Sequence, residues 1–152
     1  MEVILDILKD HAFFKNIEPD YLARIAECSS DVQYAAGEFI FREGEEARNV
    51  NIIRQGKVAI ELYVPRQGII TLETIGRGEI LGWSWFTPPY RRQFDSQAIE
   101  LTRAISIDAE CLRKLCDDES PIGYVLMKHF ATVIVERLQA TRLQLLDMYR
   151  LH

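Results

Sequence analysis

Between Asp31 and Ile107 the sequence is divided into short β-favouring runs with glycine at almost every corner, and no other feature constrains the fold as much. The runs are Val32–Tyr34, Phe39–Phe41, Val50–Ile53, Val58–Val64, Ile69–Ile75, Glu79–Leu81 and Gln97–Ile107. Between them stand Ala36-Gly37, Glu43-Gly44, Gln55-Gly56, Gln67-Gly68 and Gly76-Arg77-Gly78, glycine being the residue that turns a tight corner at positive φ without a Cβ penalty. Lys57–Val64 alternates cleanly, so Val58, Ile60, Leu62 and Val64 share one face. Short strands with a corner every ~8–12 residues predict a closed or sandwiched β-domain.

Helical periodicity flanks this region. Met1–His11 spaces Val3, Ile4, Ile7 and Leu8 at helical intervals, and Glu18–Cys28 does the same with Tyr21, Leu22, Ile25 and Ala26. Pro19 suits a first helical turn, whose N–H groups have no intrahelical partner. Phe13, Phe14 and Ile17 form a hydrophobic clasp between the two helices. Downstream, Asp108–Asp117 turns Leu112 and Leu115 inward, and Ser120-Pro121 starts a long helix that runs to His152. Along it Tyr124, Met127, Ala131, Ile134, Leu138, Thr141, Leu145 and Met148 recur at spacings of three and four, a heptad seam too long for one small β-domain to cover.

Composition removes several classes of function. At 152 residues, 48% hydrophobic and 27% charged, the chain has the make-up of one globular unit rather than a disordered one. A net charge of -5 works against generic nucleic-acid binding. No apolar run approaches the ~20 residues of a membrane span, and the acids in MEVILDILKDHAFF argue against a signal peptide. Cys28, Cys111 and Cys116 are therefore expected to be reduced, buried structural thiols in a cytoplasmic protein, although Cys111 and Cys116 are near enough in sequence to pair. His11, His129 and His152 are scattered, no metal-ligand spacing occurs, and no nucleophile elbow or P-loop is present, so no metal and no enzymatic activity are expected. Glu43, Glu45 and Glu46 read as a solvated acidic turn.

The order of helices, glycine-cornered strands and long terminal helix resembles the cyclic-nucleotide-binding domains of the catabolite-activator (Crp/Fnr-like) type. AAGEFIFREGEEARNVNIIRQGKVAIEL is similar to that family's first strands, with Gly37, Gly44 and Gly56 at its corner glycines. LETIGRGEILGWSWF and AIELTRAISIDAECLRKL are similar to the runs into and out of its phosphate-binding cassette. The resemblance covers roughly residues 10–148 and implies an α+β fold, a double-stranded jelly-roll β-roll with N-terminal helices and a C-terminal dimerisation helix. On that basis residues 1–152 form one domain: N-terminal helices in 1–30, the roll in 31–107 with its cassette in 78–97, and C-terminal helices in 108–152.

The cassette departs from the family pattern. Gly82 matches its glycine, but Trp83 stands where a glutamate would hold the ribose hydroxyl, and Ser84-Trp85-Phe86 fills the next turn. Arg91 and Arg92 are the cationic candidates for a phosphate, with Gln93 where a small hydroxyl residue usually follows. A phosphate is best held by helix N-terminal N–H groups plus a guanidinium, and Ser84 is expected to cap the short helix that provides them. Tryptophan accepts no hydrogen bond through its ring N–H, and losing a charged acceptor forfeits ~1.5–3 kcal/mol, so cyclic AMP is expected to bind weakly or not at all. Thr141 matches the position that contacts adenine in cyclic-AMP-responsive members; its alternative is a seam threonine bonded back to its own helix, and Arg142 replaces the small polar residue that often follows.

The candidate ligand residues are thus Gly82, Trp83, Ser84, Trp85, Arg91, Arg92 and Thr141, and the candidate dimer residues are Met127, Ala131, Ile134, Leu138, Leu145 and Met148. No cofactor is assigned beyond the cyclic AMP or other small anionic ligand that the resemblance implies. Pro88 and Pro89 are expected to return Arg91 and Arg92 to one mouth, the anion resting on Arg92 and its apolar body on Trp83 or Trp85. The leading expectation is a non-enzymatic sensory module that forms a homodimer, contacts no membrane and, ending at His152, binds no DNA directly. The alternative is a protein-interaction scaffold whose pocket is plugged by its own tryptophans.

Overall fold

The computed structural model describes residues 2–150, with side-chain surroundings from Ile4 onward; Met1, the Val3 side chain and His152, all named above, lie outside the described residues. The chain runs α1 (Glu2–Asp10), a 3-10 turn (Ala12–Phe14), α2 (Pro19–Glu27), β1 (Ser29–Tyr34), β2 (Phe39–Phe41), β3 (Asn49–Gln55), β4 (Lys57–Val64), β5 (Gly68–Gly76), β6 (Ile80–Leu81), a second 3-10 turn (Ser84–Phe86), β7 (Asp95–Ala98), β8 (Thr102–Asp108), α3 (Ala109–Asp118) and α4 (Ser120–Arg150). The strands form two antiparallel four-stranded sheets, β1-β8-β3-β6 and β2-β7-β4-β5. This is the α+β jelly roll that the family resemblance implies, and its paired sheets are the sandwiched β-domain that the glycine-cornered strands predict.

One run is corrected. Gln97–Ile107 reads as a single strand, yet it supplies β7 to one sheet and β8 to the other. The chain crosses between sheets at Ile99–Leu101, where both apolar residues are exposed. Gly56 permits that crossing: a Cβ on it would lie 2.6 Å from the Leu101 carbonyl oxygen, and its φ is +107°.

Period-two alternation then sorts the core into two layers. Val50 and Ile52 of β3, with Ile105 and Ile107 of β8, face the helices and pack with Leu8, Phe14, Ile25, Trp85, Leu112, Leu126 and Phe130. Ile53 and Ala104 face the roll interior and pack with Phe41, Val58, Ile60, Ile75, Leu81 and Phe94. The clasp residues close the helical layer, Phe13 standing edge-on to Phe130 at 4.9 Å between centroids.

The long helix meets this core along Ile122, Gly123, Leu126 and Phe130. Of the predicted seam, Tyr124, Ala131, Leu138, Thr141, Leu145 and Met148 are exposed on the single chain, and Met127 and Ile134 are half-buried. Seam spacing marks a helix face but not what covers it.

The expectation of three reduced thiols is corrected: Cys28 and Cys111 form a disulfide with Cα atoms 5.7 Å apart, and Cys116 is free. Pairing of β1 with β8 sets Ser29 opposite Ile107, and the Asp108 N–H donates to the Cys28 carbonyl at 2.9 Å. A separation of 83 residues hides this neighbourhood from a sequence reading. Burial raises the Cys116 thiol to about 11, with Asp117 adding to it.

His11 caps the first 3-10 turn, its Nδ1 accepting the Phe13 N–H at 3.1 Å. Burial holds its pKa below the ordinary 6.5. The unfolded chain therefore protonates first, and the stability His11 contributes is present above about 6.5 and is lost as pH falls through the lower folded value. Urea unfolding at about pH 7.5 and about pH 5.5 should show a larger loss in the natural chain than in His11→Asn, which keeps a cap but does not titrate. Equal losses would remove His11 from the pH dependence. For the core, Phe130→Ala should cost about 3–5 kcal/mol by the same assay, and Ile69→Ala, at an exposed position, within about 0.5 kcal/mol.

Candidate ligand pocket

The cassette begins where β6 ends. Gly82, at φ +97°, turns the chain so that Trp83 heads the 3-10 turn Ser84–Phe86. Pro88–Pro89 is a cis peptide and Tyr90 has φ +57°. The returning segment then zips onto residues 44–47: the Arg92 N–H donates to the Glu45 carbonyl at 2.8 Å, and the Ala47 N–H to the Tyr90 carbonyl at 2.7 Å. From behind, Arg113 of α3 donates through Nη1 to the Trp85 carbonyl at 2.6 Å and stacks on the Tyr90 ring at 4.5 Å.

The two arginines, in the segment bridged to Glu46 ahead of β7, differ sharply in burial. Arg91 is exposed, whereas Arg92 is 3% exposed. Nη2 of Arg92 donates to the Asn49 carbonyl at 2.7 Å and to Asn49 Oδ1 at 2.9 Å, and its guanidinium lies 4.0 Å above the Phe41 ring. Nε and Nη1 have no partner. Burial lowers its pKa to about 10, partly offset by Glu45 and Tyr34. The expectation that both arginines share one mouth is thus corrected.

Ser84 is buried within the turn and caps nothing: the N-cap position is Trp83, without a side-chain cap bond. A turn of three residues leaves no helix for Ser84 to start. Trp85 is fully buried in the helix-side core, 5.2 Å from Phe130 and 5.4 Å from Phe86, so its ring lies away from the roll.

The cavity between roll and helix has a volume of about 200 Å³ and is walled by Ile60, Leu72, Glu73, Trp83, Phe94, Arg137, Ala140, Thr141 and Gln144. Of the predicted ligand residues it contains Trp83 and Thr141; Gly82, Ser84, Trp85, Arg91 and Arg92 are not on its wall. Trp83 is half-buried, 5.3 Å from Phe94. The Thr141 hydroxyl donates to the Arg137 carbonyl at 2.8 Å, the back-bonded alternative.

Arg137 is the principal residue that the sequence reading missed. Its guanidinium lies 4.8 Å above the Trp83 ring, donates to the Ile80 carbonyl and is 3.7 Å from Glu73. The side chain is 10% exposed and Nη1 has no partner. Burial lowers its pKa, with Glu73 and Glu79 opposing. Arg137, Thr141 and Gln144 stand four and three apart, so they share one helix face, and that spacing was the available signal. Gln144 completes the contact by donating to the Leu72 carbonyl at 3.0 Å.

A protein-family model for the cyclic nucleotide-binding domain matches residues 31–119. The chain belongs to this family. It is 28% identical over 143 residues to a CRP-like cAMP-activated global transcriptional regulator of Mycobacterium tuberculosis, and it spans 62% of that relative's length against 94% of its own. Among solved structures, a cyclic nucleotide-binding domain from Methylobacillus flagellatus KT superimposes with a TM-score of 0.81 at 18% identity, covering 97% of this chain and 83% of that one. The sensor domain of the transcriptional regulator DNR from Pseudomonas aeruginosa gives 0.73 at 20% identity, covering 91% and 93%. Both structural likenesses bear on the fold.

Gly82 couples the cassette to Arg92. A Cβ at Gly82 would lie 2.4 Å from Arg92 Nη1, whereas a Cβ at Gly78, also at positive φ, meets nothing within 4 Å. Gly82→Ala should therefore cost about 1–3 kcal/mol more than Gly78→Ala in denaturant unfolding, the excess being the clash rather than the shared backbone strain. Equal costs would show that Arg92 moves aside freely.

Proposed function

We propose that this cyclic nucleotide-binding domain is a non-enzymatic sensory module whose roll pocket takes a small anion with an apolar body, and that two chains pair along α4. The observation that carries the ligand reading is Arg137: a buried guanidinium with an unpartnered Nη1 on the wall of a cavity whose apolar side is Trp83, Phe94, Ile60 and Leu72 and whose polar members are Glu73, Thr141 and Gln144. Such a wall suits an acid whose charge meets Arg137 and whose flat or branched body lies on Trp83. The charge falls to Arg137 because Arg92 is not on the wall of this cavity.

A cavity of about 200 Å³ falls below the roughly 300–1,000 Å³ of pockets that enclose drug-sized ligands. The ligand is accordingly smaller than a cyclic nucleotide, and Trp83 offers no acceptor to a ribose hydroxyl. Against a panel of aromatic and branched carboxylates, thermal denaturation should show a hit that Arg137→Gln abolishes, with no shift from cyclic AMP at about 1 mM. Micromolar binding of cyclic AMP by calorimetry would overturn this reading.

Contact of Trp83 with both core layers favours a second reading, in which its ring fills the roll and the module acts as a scaffold for another protein. A panel without hits, together with new binding of small aromatics by Trp83→Ala, would select it.

The pairing of two chains rests on the apolar stripe that α4 leaves uncovered beyond Arg137. Leu138, Leu145 and Met148 are 66%, 52% and 61% exposed, an arrangement soluble monomers rarely present. Light scattering should give a dimer at micromolar concentration, and Leu138→Glu with Leu145→Glu should give a folded monomer; a monomeric natural chain would sink the proposal. Among the described residues no helix is long and apolar enough to cross a membrane.

A further inference from the structure

The helix-side face of the sheet β1-β8-β3-β6 does not end in apolar residues. Along β3 the positions facing the helices are Val50, Ile52 and then Arg54; along β8, read backwards, they are Ile107, Ile105 and then Arg103. The two strands are paired, and Gln55 lies opposite Arg103 across a register shift, so the two guanidinium-bearing residues continue the core rows where helical cover runs out. Arg77, in the turn between β5 and β6, joins them. Together with Ile7, Asp10, His11, Ala12 and Gly78, these arginines line a groove of about 480 Å³, separate from the roll pocket.

The donors in this groove outnumber its acceptors. Arg54 is 3.4 Å from Asp31, and Asp10 is the carboxylate on the wall; among the described residues, neither Arg77 nor Arg103 has a carboxylate within ion-pair distance. On a chain of net charge -5, three arginines from three separate elements therefore line one concavity.

We propose that this groove is an anion site for a phosphate-bearing ligand with two or more charged groups, its phosphates held by Arg54, Arg77 and Arg103. Guanidinium forks match phosphate oxygens in bidentate geometry, which a single carboxylate does not use fully. The volume is that of a small-molecule site, and Ile7 and Ala12 give an apolar wall for a non-phosphate portion. The site also adjoins the first pocket's machinery: Arg77-Gly78 leads directly into β6, whose Ile80 carbonyl accepts from Arg137.

Calorimetry on the full chain with inorganic pyrophosphate tests this. One saturable site per chain with a sub-millimolar Kd is expected, weakened at least about tenfold in Arg77→Ala/Arg103→Ala and falling with added salt. Arg48→Ala/Arg66→Ala, which removes the same charge elsewhere on the surface, should leave the affinity within about twofold. Absence of saturable binding at about 5 mM pyrophosphate, an equal loss in both double variants, or binding of polyglutamate but not pyrophosphate would each overturn the proposal. The carboxylate panel reports on Arg137 and not on Arg77 or Arg103, so either proposal can fail while the other stands.

Discussion

The structure depends on two central strands, β3 and β8, being buried on both faces. In β1-β8-β3-β6, adjacent residues serve different cores: Ile52 faces the helices and Ile53 the roll, as Ile105 and Ala104 do across the ladder. All four are fully buried, and each buried isoleucine contributes about 1.5–3 kcal/mol of apolar transfer. A one-residue slip would exchange the two sets and unpair both layers at once, so register here is strongly specified. The helices, the cassette and the roll take their positions from that sheet.

The cassette shows how a buried charge can become part of a frame. Arg92 has lost its water and gained an amide oxygen, a carbonyl and an aromatic face, but no carboxylate. Gly82 supplies the space beside its Nη1, and Arg113 holds the turn from outside. Arg137, not Arg92, is the arginine on the pocket wall, and its guanidinium bridges the helix, the Trp83 ring and the Ile80 carbonyl. The same side chain thus joins α4 to the strand that opens the cassette and forms part of the cavity wall.

Much of this was legible from residue order. Glycine corners marked the strands, the single-face pattern of Val58, Ile60 and Leu62 marked a roll wall, and the helix starts at Pro19 and near Ser120 were placed by cap chemistry. Less was legible in the site. Trp83 and Thr141 lie on the cavity wall, but Trp85 belongs to the other core, Arg91 faces water and Ser84 caps no helix. A run such as GWSWFTPPYRR states which residue types are present, while the side of the chain each takes depends on a cis peptide, a positive φ at Tyr90 and the zipper to residues 44–47.

Sequence by itself determined the properties that are local or periodic: where strands turn, which faces are apolar and where helices begin. Tertiary structure alone decided what depends on distant partners. It joined Cys28 to Cys111 across 83 residues, divided Gln97–Ile107 between two sheets, and set Arg137 over Trp83. It also brought Arg54, Arg77 and Arg103 to one groove. The physical reason is common to all of these: backbone preference and hydrophobic period act over a few residues, whereas the partner of a thiol or a guanidinium is chosen by strand pairing and packing between segments far apart in the chain.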